Sequence, residues 1–248
     1  ILRLGDMQGK ADTTLLLHNV PNTQCKRVLL VGLGKEEEFS DKAYSTAIRT
    51  TFNALHKTGI TDTTVFLTDI SVKTRDLEWK VSQTVIAAME SIYRFDQLKS
   101  KPEENNCCLR KVTLNIANRA DLVACEAANQ QGIAIAHGMR VAKDLGNLAP
   151  NICTPTYLAQ QARDIAKTHK LKASVLEQKD MEKLGMGSLL SVARGSHQPA
   201  KLIVLEYKGR GKKDQPVVLV GKGVTFDTGG ISLKPAAAMD EMKYDMCG

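Results

Sequence analysis

Between Thr13 and Ile116, short apolar runs alternate with longer segments whose apolar residues recur at helical spacing. This alternation is the strongest constraint on the fold. Thr13–His18 and Arg27–Gly32 are apolar and bounded by turn-forming residues, which predicts two strands. Asp41–Lys57 carries Ala43, Ala47, Ile48, Phe52 and Leu55 along one helical face, with Asp41 as expected N-cap and Gly59 as stop. Thr64–Leu67 reads as a third strand. Leu77–Phe95 lines up Val81, Val85, Ala88, Met89 and Ile92, the pattern of an amphipathic helix. Lys99–Asn106 is polar with one proline and reads as a surface loop, and Lys111–Ile116 alternates as a strand does. The order β–α–β–α–β predicts an α/β domain. No constellation of chemically competent residues stands out within it.

Arg119–Leu145 is alanine-rich and helical in period, the expected connector into a second domain. The run N-L-A-P-N-I-C-T-P follows. In it Thr154 is the expected N-cap and Pro155 the first residue of a helix reaching about Lys167. The domain boundary is therefore expected near Asn147, giving domains 1–146 and 147–248. In the second, Leu171–Val175 reads as a strand, Lys179–Leu184 as a short helix and Gly185–Gly195 as a glycine- and serine-rich stretch. Leu202–Tyr207 and Pro216–Gly221 are apolar throughout, as buried parallel strands tend to be. The second domain is thus expected to be α/β with a central mixed sheet.

The chemistry is concentrated at the end. From Val220 the chain reads V-G-K-G-V-T-F-D-T-G-G-I-S-L-K-P-A-A-A-M-D-E-M-K-Y-D-M-C-G. Lys222, Asp227, Lys234 and Asp245 are spaced among Gly221, Gly223, Gly229 and Gly230, and glycine lets a backbone turn left-handed and approach a ligand closely. Loops past the carboxyl ends of strands are where open α/β sheets bind ligands. Lysines and carboxylates in such a loop suit a phosphate or a metal. The phosphate reading fails on spacing. No stretch fits G-x-x-x-x-G-K-[ST]. The dinucleotide pattern G-x-G-x-x-G finds Phe226 in place of the third glycine after Gly221 and Gly223, and Glu37 after Gly32 and Gly34. Asp227 and Asp245 offer hard oxygen ligands. Lysine joins such a set only as the neutral amine, its proton displaced by the metal. The alternative is a polar surface loop with two solvated lysines and two capping aspartates.

The run Val220–Gly248, with V-G-K-G, F-D-T-G-G-I-S-L-K-P and M-D-E-M-K-Y-D-M-C-G, closely resembles the signature of the cytosolic leucine aminopeptidases, the di-metal M17 type. The resemblance implies that Lys222, Asp227 and Asp245 are metal ligands, with Asp227 bridging two divalent ions, Mn2+ or Zn2+. It implies that Lys234 is the catalytic lysine polarising the scissile carbonyl. Met242 would line the pocket for the substrate's first side chain, its alternative being ordinary core packing. It further implies a macro-like α/β fold for the first domain, a homohexamer, and metal-activated water releasing leucine and other apolar residues from the amino termini of peptides. In this family a second motif, Asn-Thr-Asp-Ala-Glu-Gly-Arg, supplies two more carboxylate ligands and a catalytic arginine. Those residues are expected beyond Gly248. The chain, which also starts without a methionine, is accordingly expected to be a piece of a longer protein or one side of a break at a disordered loop.

Composition bounds the alternatives. With 43% hydrophobic and 25% charged residues the chain is globular in class. No apolar run approaches the roughly 18 residues of a membrane span. The six cysteines lack any C-x-x-C pair and are expected as reduced thiols of a cytoplasmic protein. No H-E-x-x-H occurs, and His137 within its apolar helix is expected to be packed or capped. The net charge of +7 is spread out except at Lys208–Lys213, K-G-R-G-K-K. That stretch is most simply a solvated loop. It leaves open a second reading, a DNA-binding or transcription and recombination accessory protein on the same fold.

Overall fold

A computed structural model of the chain describes residues 5–101, 108–209 and 215–247. The expected loop Lys99–Asn106 and the basic run Lys208–Lys213 lie largely outside these residues. The chain divides into two compact units, Ile1–Arg140 and Val141–Gly248.

In the first unit, β1 (Thr14–His18) and β2 (Arg27–Val31) form an antiparallel hairpin in which Leu16 faces Leu29. α1 (Asp41–His56) follows. Its N-cap is Ser40 rather than the expected Asp41: Ser40 is extended and its Oγ accepts from Ala43 N–H at 3.3 Å. Asp41 sits one position later, in the first turn, where a carboxylate favours the helix dipole and pairs with Arg75 at 2.7 Å. β3 (Asp62–Val65), α2 (Leu77–Ser91) and β4 (Lys111–Leu114) make a β–α–β unit with parallel strands. The buried cluster of Phe39, Tyr44, Ile48, Phe52, Leu55, Val65, Val72 and Ala87 packs α1 against α2 and the β3–β4 pair. α3 (Leu122–Asn147) crosses the division between the units. Gly132 brings it close to α2, since a Cβ there would lie 2.9 Å from Ser82 O. His137, expected to be packed, is exposed on α3. The buried face of α3 is that of Cys125, Ala128, Gly132 and Ala136, and His137 lies off it.

Two buried polar side chains tie this unit together. Lys80 Nζ donates to the carbonyls of Thr68 at 2.6 Å and Ile70 at 2.9 Å, satisfying a 3-10 turn at Leu67–Asp69. Tyr44 Oη lies 3.0 Å from Thr84 Oγ1, and burial pushes its phenol up to about 12. A phenol whose folded pKa lies above the free value near 10 holds its proton while the unfolded chain loses it, so stability falls as pH rises from about 10 to 12. We expect the denaturant midpoint to drop over that range by an amount that Tyr44→Phe largely abolishes. An equally steep fall in the variant would place the effect elsewhere.

In the second unit, α4 (Pro155–His169) begins as expected: Thr154 Oγ1 accepts from Tyr157 N–H at 3.3 Å and proline occupies the first turn. β5 (Lys172–Leu176) pairs with β6 (Leu202–Glu206), and two short helices, α5 (Gln178–Lys183) and α6 (Gly187–Ala193), lie between them in sequence. α6 falls in the glycine- and serine-rich stretch. None of its residues is buried. Met181, Cys153, Ala159, Ala162 and Ala166 are buried.

The α/β class holds, but two expectations about the strands do not. β6 is antiparallel and half-exposed, where Leu202–Tyr207 was expected to be a buried parallel strand. Pro216–Gly221 is not a strand at all; Val217 and Leu219 are 90% and 92% exposed. High β-propensity does not make a strand without a hydrogen-bonded neighbour, and none of the described residues pairs with this run. The described sheets are two-stranded, β1–β2, β3–β4 and β5–β6.

Candidate metal and catalytic site

The loop after Gly221 is shaped by one tight turn. Asp227 Oδ1 accepts from Gly229 N–H at 2.9 Å, an Asx turn, and Gly229 and Gly230 follow with φ of +90° and +75°. The backbone then doubles back, so that Lys234 N–H donates to Thr228 O at 2.9 Å. This reversal places Lys234 beside Asp227, although the two are seven residues apart in sequence. Only glycine fits at 229: a Cβ there would collide with Ser232 O and lie 3.0 Å from both Lys234 N and Lys234 Cγ.

Asp245 and Met242 arrive from a different element, a 3-10 helix at Met239–Cys247 that sequence reasoning did not foresee. With three residues per turn, positions i and i+3 eclipse, so Met242 and Asp245 share a face. The three-residue recurrence of Met239, Met242 and Asp245 was the available signal.

The structure brings all five expected residues together. Asp227 Oδ2 lies 3.0 Å from Lys234 Nζ and 3.8 Å from Lys222 Nζ. Lys222 Nζ is also ion-paired with Asp245 Oδ2. Lys234 Nζ donates to Met242 Sδ at 3.0 Å. The result is a chain of alternating charge: Asp245, Lys222, Asp227, Lys234. Asp227's carboxyl is held below its ordinary range by the Gly229 N–H and then by the Lys234 ammonium. The Asp245 carboxylate holds the Lys222 ammonium above its ordinary value. Asp245 Oδ2 is buried and accepts no hydrogen bond of ordinary geometry, so its only compensation is the lysine charge.

This donor set fits a cation. Two carboxylates converge on one point, and what stands between them is itself a cation, the Lys222 ammonium. A divalent ion at that point would use the Asp227 and Asp245 oxygens and the Lys222 amine, and would meet the orphaned Asp245 oxygen. The fit covers one ion. For a second, Asp227 is the sole donor in this cluster, and among the described residues no group of three or more His, Cys, Asp or Glu side chains converges. Elsewhere among the described residues, Cys25, Cys125, Cys153 and Cys247 are free thiols, and no helix is long and apolar enough to cross a membrane.

Comparison with known proteins places the chain in a family. The model of the cytosol aminopeptidase family's N-terminal domain matches residues 1–102, and that of its catalytic domain matches residues 140–248. The chain belongs to the cytosol aminopeptidase family. It is 65% identical over 251 residues to a probable cytosol aminopeptidase of Nitrosospira multiformis, covering 100% of this chain and 48% of that one. It is 64% identical over 248 residues to a probable cytosol aminopeptidase of Nitrosomonas europaea, covering 100% of this chain and 50% of that one. Among solved structures, a bottromycin maturation enzyme, BotP, in complex with Mn superposes with a TM-score of 0.79 at 26% identity, over 99% of this chain and 50% of that one. The chain thus spans about half the length of the relatives it matches.

Proposed function

We propose that the protein carrying this chain is a divalent-metal aminopeptidase, releasing leucine and other apolar residues from the amino termini of peptides. The observation that carries the reading is the convergence of Lys222, Asp227, Asp245 and Lys234 from a glycine-shaped loop and a 3-10 helix. The names of the relatives support the reaction, and the manganese complex of BotP supports the metal.

Lys222, Asp227 and Asp245 would hold one ion, with Asp227 shared with a second; Mn2+ and Zn2+ both suit the donors. When bound, such ions supply Lewis acidity and lower the pKa of water near neutral pH. As a ligand, Lys222 would bind through the neutral amine, its proton displaced to solvent. Lys234 would direct Nζ to the oxygen on which negative charge develops when the peptide carbonyl is attacked. Asp227, engaged with the metal, would leave Lys234 free to turn towards substrate. Met242, touching Lys234 Nζ, would form part of the wall around the first side chain. Apolar pockets discriminate by only about 1–3 kcal/mol per methylene, so broad specificity is expected. We further propose a cytoplasmic homohexamer, which sedimentation of the full-length protein checks. The DNA-binding alternative rests on Lys208–Lys213, most of which lies outside the described residues, and gains no support from the site.

The test is release of chromophore from a leucine anilide by the full-length protein. Hydrolysis should depend on added Mn2+ or Zn2+, stop with a chelator and return with metal. Hydrolysis indifferent to exhaustive chelation would overturn the reading.

A further inference from the structure

Within the second unit, the last turn of α3 and the segment that follows it meet the 3-10 helix Met239–Cys247 at three points. Tyr244 Oη donates to Asn147 Oδ1 at 2.9 Å. Cys153 Sγ lies 3.7 Å from Met246 Sδ. A Cβ on Gly146 would sit 2.9 Å from Cys247 Sγ and 3.5 Å from the Tyr244 ring, so the glycine lets Cys247 and Tyr244 lie directly against α3. The three partners, Tyr244, Met246 and Cys247, bracket Asp245 on both sides. The face of the helix carrying these contacts is therefore fixed, and with it the direction in which the Asp245 carboxylate points.

We propose that Asn147 and Tyr244 are positioning residues for the metal ligand Asp245, with Gly146 and Cys153 completing the platform on which its helix rests. The proposal rests on the metal-site reading above. Its physical basis is that a 3-10 helix has poor internal hydrogen-bond geometry and rarely persists beyond a few residues. The one here runs for nine residues, so its orientation depends on outside contacts. Lys243 Nζ lies 4.9 Å from the centre of the Tyr244 ring and helps hold that ring in place. The Asn147–Tyr244 bond is the most directional of the three contacts, and removing it releases the helix next to its ligand. Groups that orient metal ligands typically contribute about 10–100-fold in metal affinity.

The experiment is a titration of the full-length protein with Mn2+, free ion being read by its electron paramagnetic resonance signal. Variants are Tyr244→Phe, which keeps the ring and removes only the hydroxyl, Asn147→Ala, their combination, and Asp245→Asn as reference. Tyr244→Phe and Asn147→Ala should each weaken Mn2+ binding about 10-fold or more, with thermal midpoints of the metal-free proteins near wild type. The double variant should be no weaker than the worse single, because the Tyr244–Asn147 bond is the one the two changes have in common. If Asp245→Asn weakens binding while both single variants bind as wild type does, the positioning role is wrong and the metal site stands. If Asp245→Asn binds Mn2+ as wild type does, the metal-site reading fails and the proposal falls with it.

Discussion

Replacing Asp227 by alanine in the full-length protein is expected to lower hydrolysis of a leucine anilide by more than about 10³-fold, or several kcal/mol of barrier, and to strip bound metal. Asp227 is the residue both lysines share, and it is the donor expected to touch both ions. Lys234→Ala should behave differently. It removes a charge aimed at the reacting carbonyl but no ligand, so metal content should stay near wild type while turnover falls about 10²–10³-fold, the usual cost of one preorganised stabilising group. Metal content by mass spectrometry, measured beside the rate, separates the two roles. Retention of both ions and near-normal turnover in Asp227→Ala would show the ligand assignment to be wrong. Loss of metal in Lys234→Ala would make that lysine a ligand.

The second large effect falls on a residue with no functional group. Gly229→Ala should cost activity about as heavily as Lys234→Ala while leaving metal bound. A Cβ at 229 meets Ser232 O and the Lys234 backbone, and the position has φ +90°. The turn must open, and Lys234 moves with it. Gly230→Ala is the control. Its φ of +75° is also left-handed, but no atom lies within 4 Å of the added Cβ. There the cost is backbone strain alone, about 1–2 kcal/mol of local stability, with turnover much closer to wild type. Equal losses in the two variants would mean that strain, not the placement of Lys234, decides the effect.

Much of the site was legible because its residues are chemically unusual together. Two lysines and two aspartates among four glycines leave few uses, and the glycine run announces a reversal even before its geometry is known. What the sequence concealed was the element carrying Asp245. Met239–Cys247 has neither the strict alternation of a strand nor a full amphipathic face, and nine residues in 3-10 form run against the usual length of such helices. The platform at Gly146–Cys153 was equally hidden. Its proline and two asparagines signal a break in helix, which is correct, but nothing local reveals that Asn147 is bonded to a tyrosine at 244. In the fold, periodicity located α1, α2 and α4 to within a few residues, since each has one buried face. It failed at Pro216–Gly221, where apolar composition matches a buried strand but burial and pairing depend on neighbours that local sequence does not specify. Parallel or antiparallel pairing of β6 is hidden for the same reason: a five-residue apolar run reads alike in either direction.

On the proposed reading, Lys222, Asp227 and Asp245 surround a cation rather than merely neutralising one another. Anomalous diffraction from crystals of the full-length protein soaked with Mn2+ tests it most directly. The expected result is a manganese peak bonded to carboxylate oxygens of Asp227 and Asp245 and to Lys222 Nζ, with Lys234 Nζ close by but unbonded. Manganese located elsewhere, with the Lys222–Asp245 ion pair intact, would show that these residues only neutralise one another.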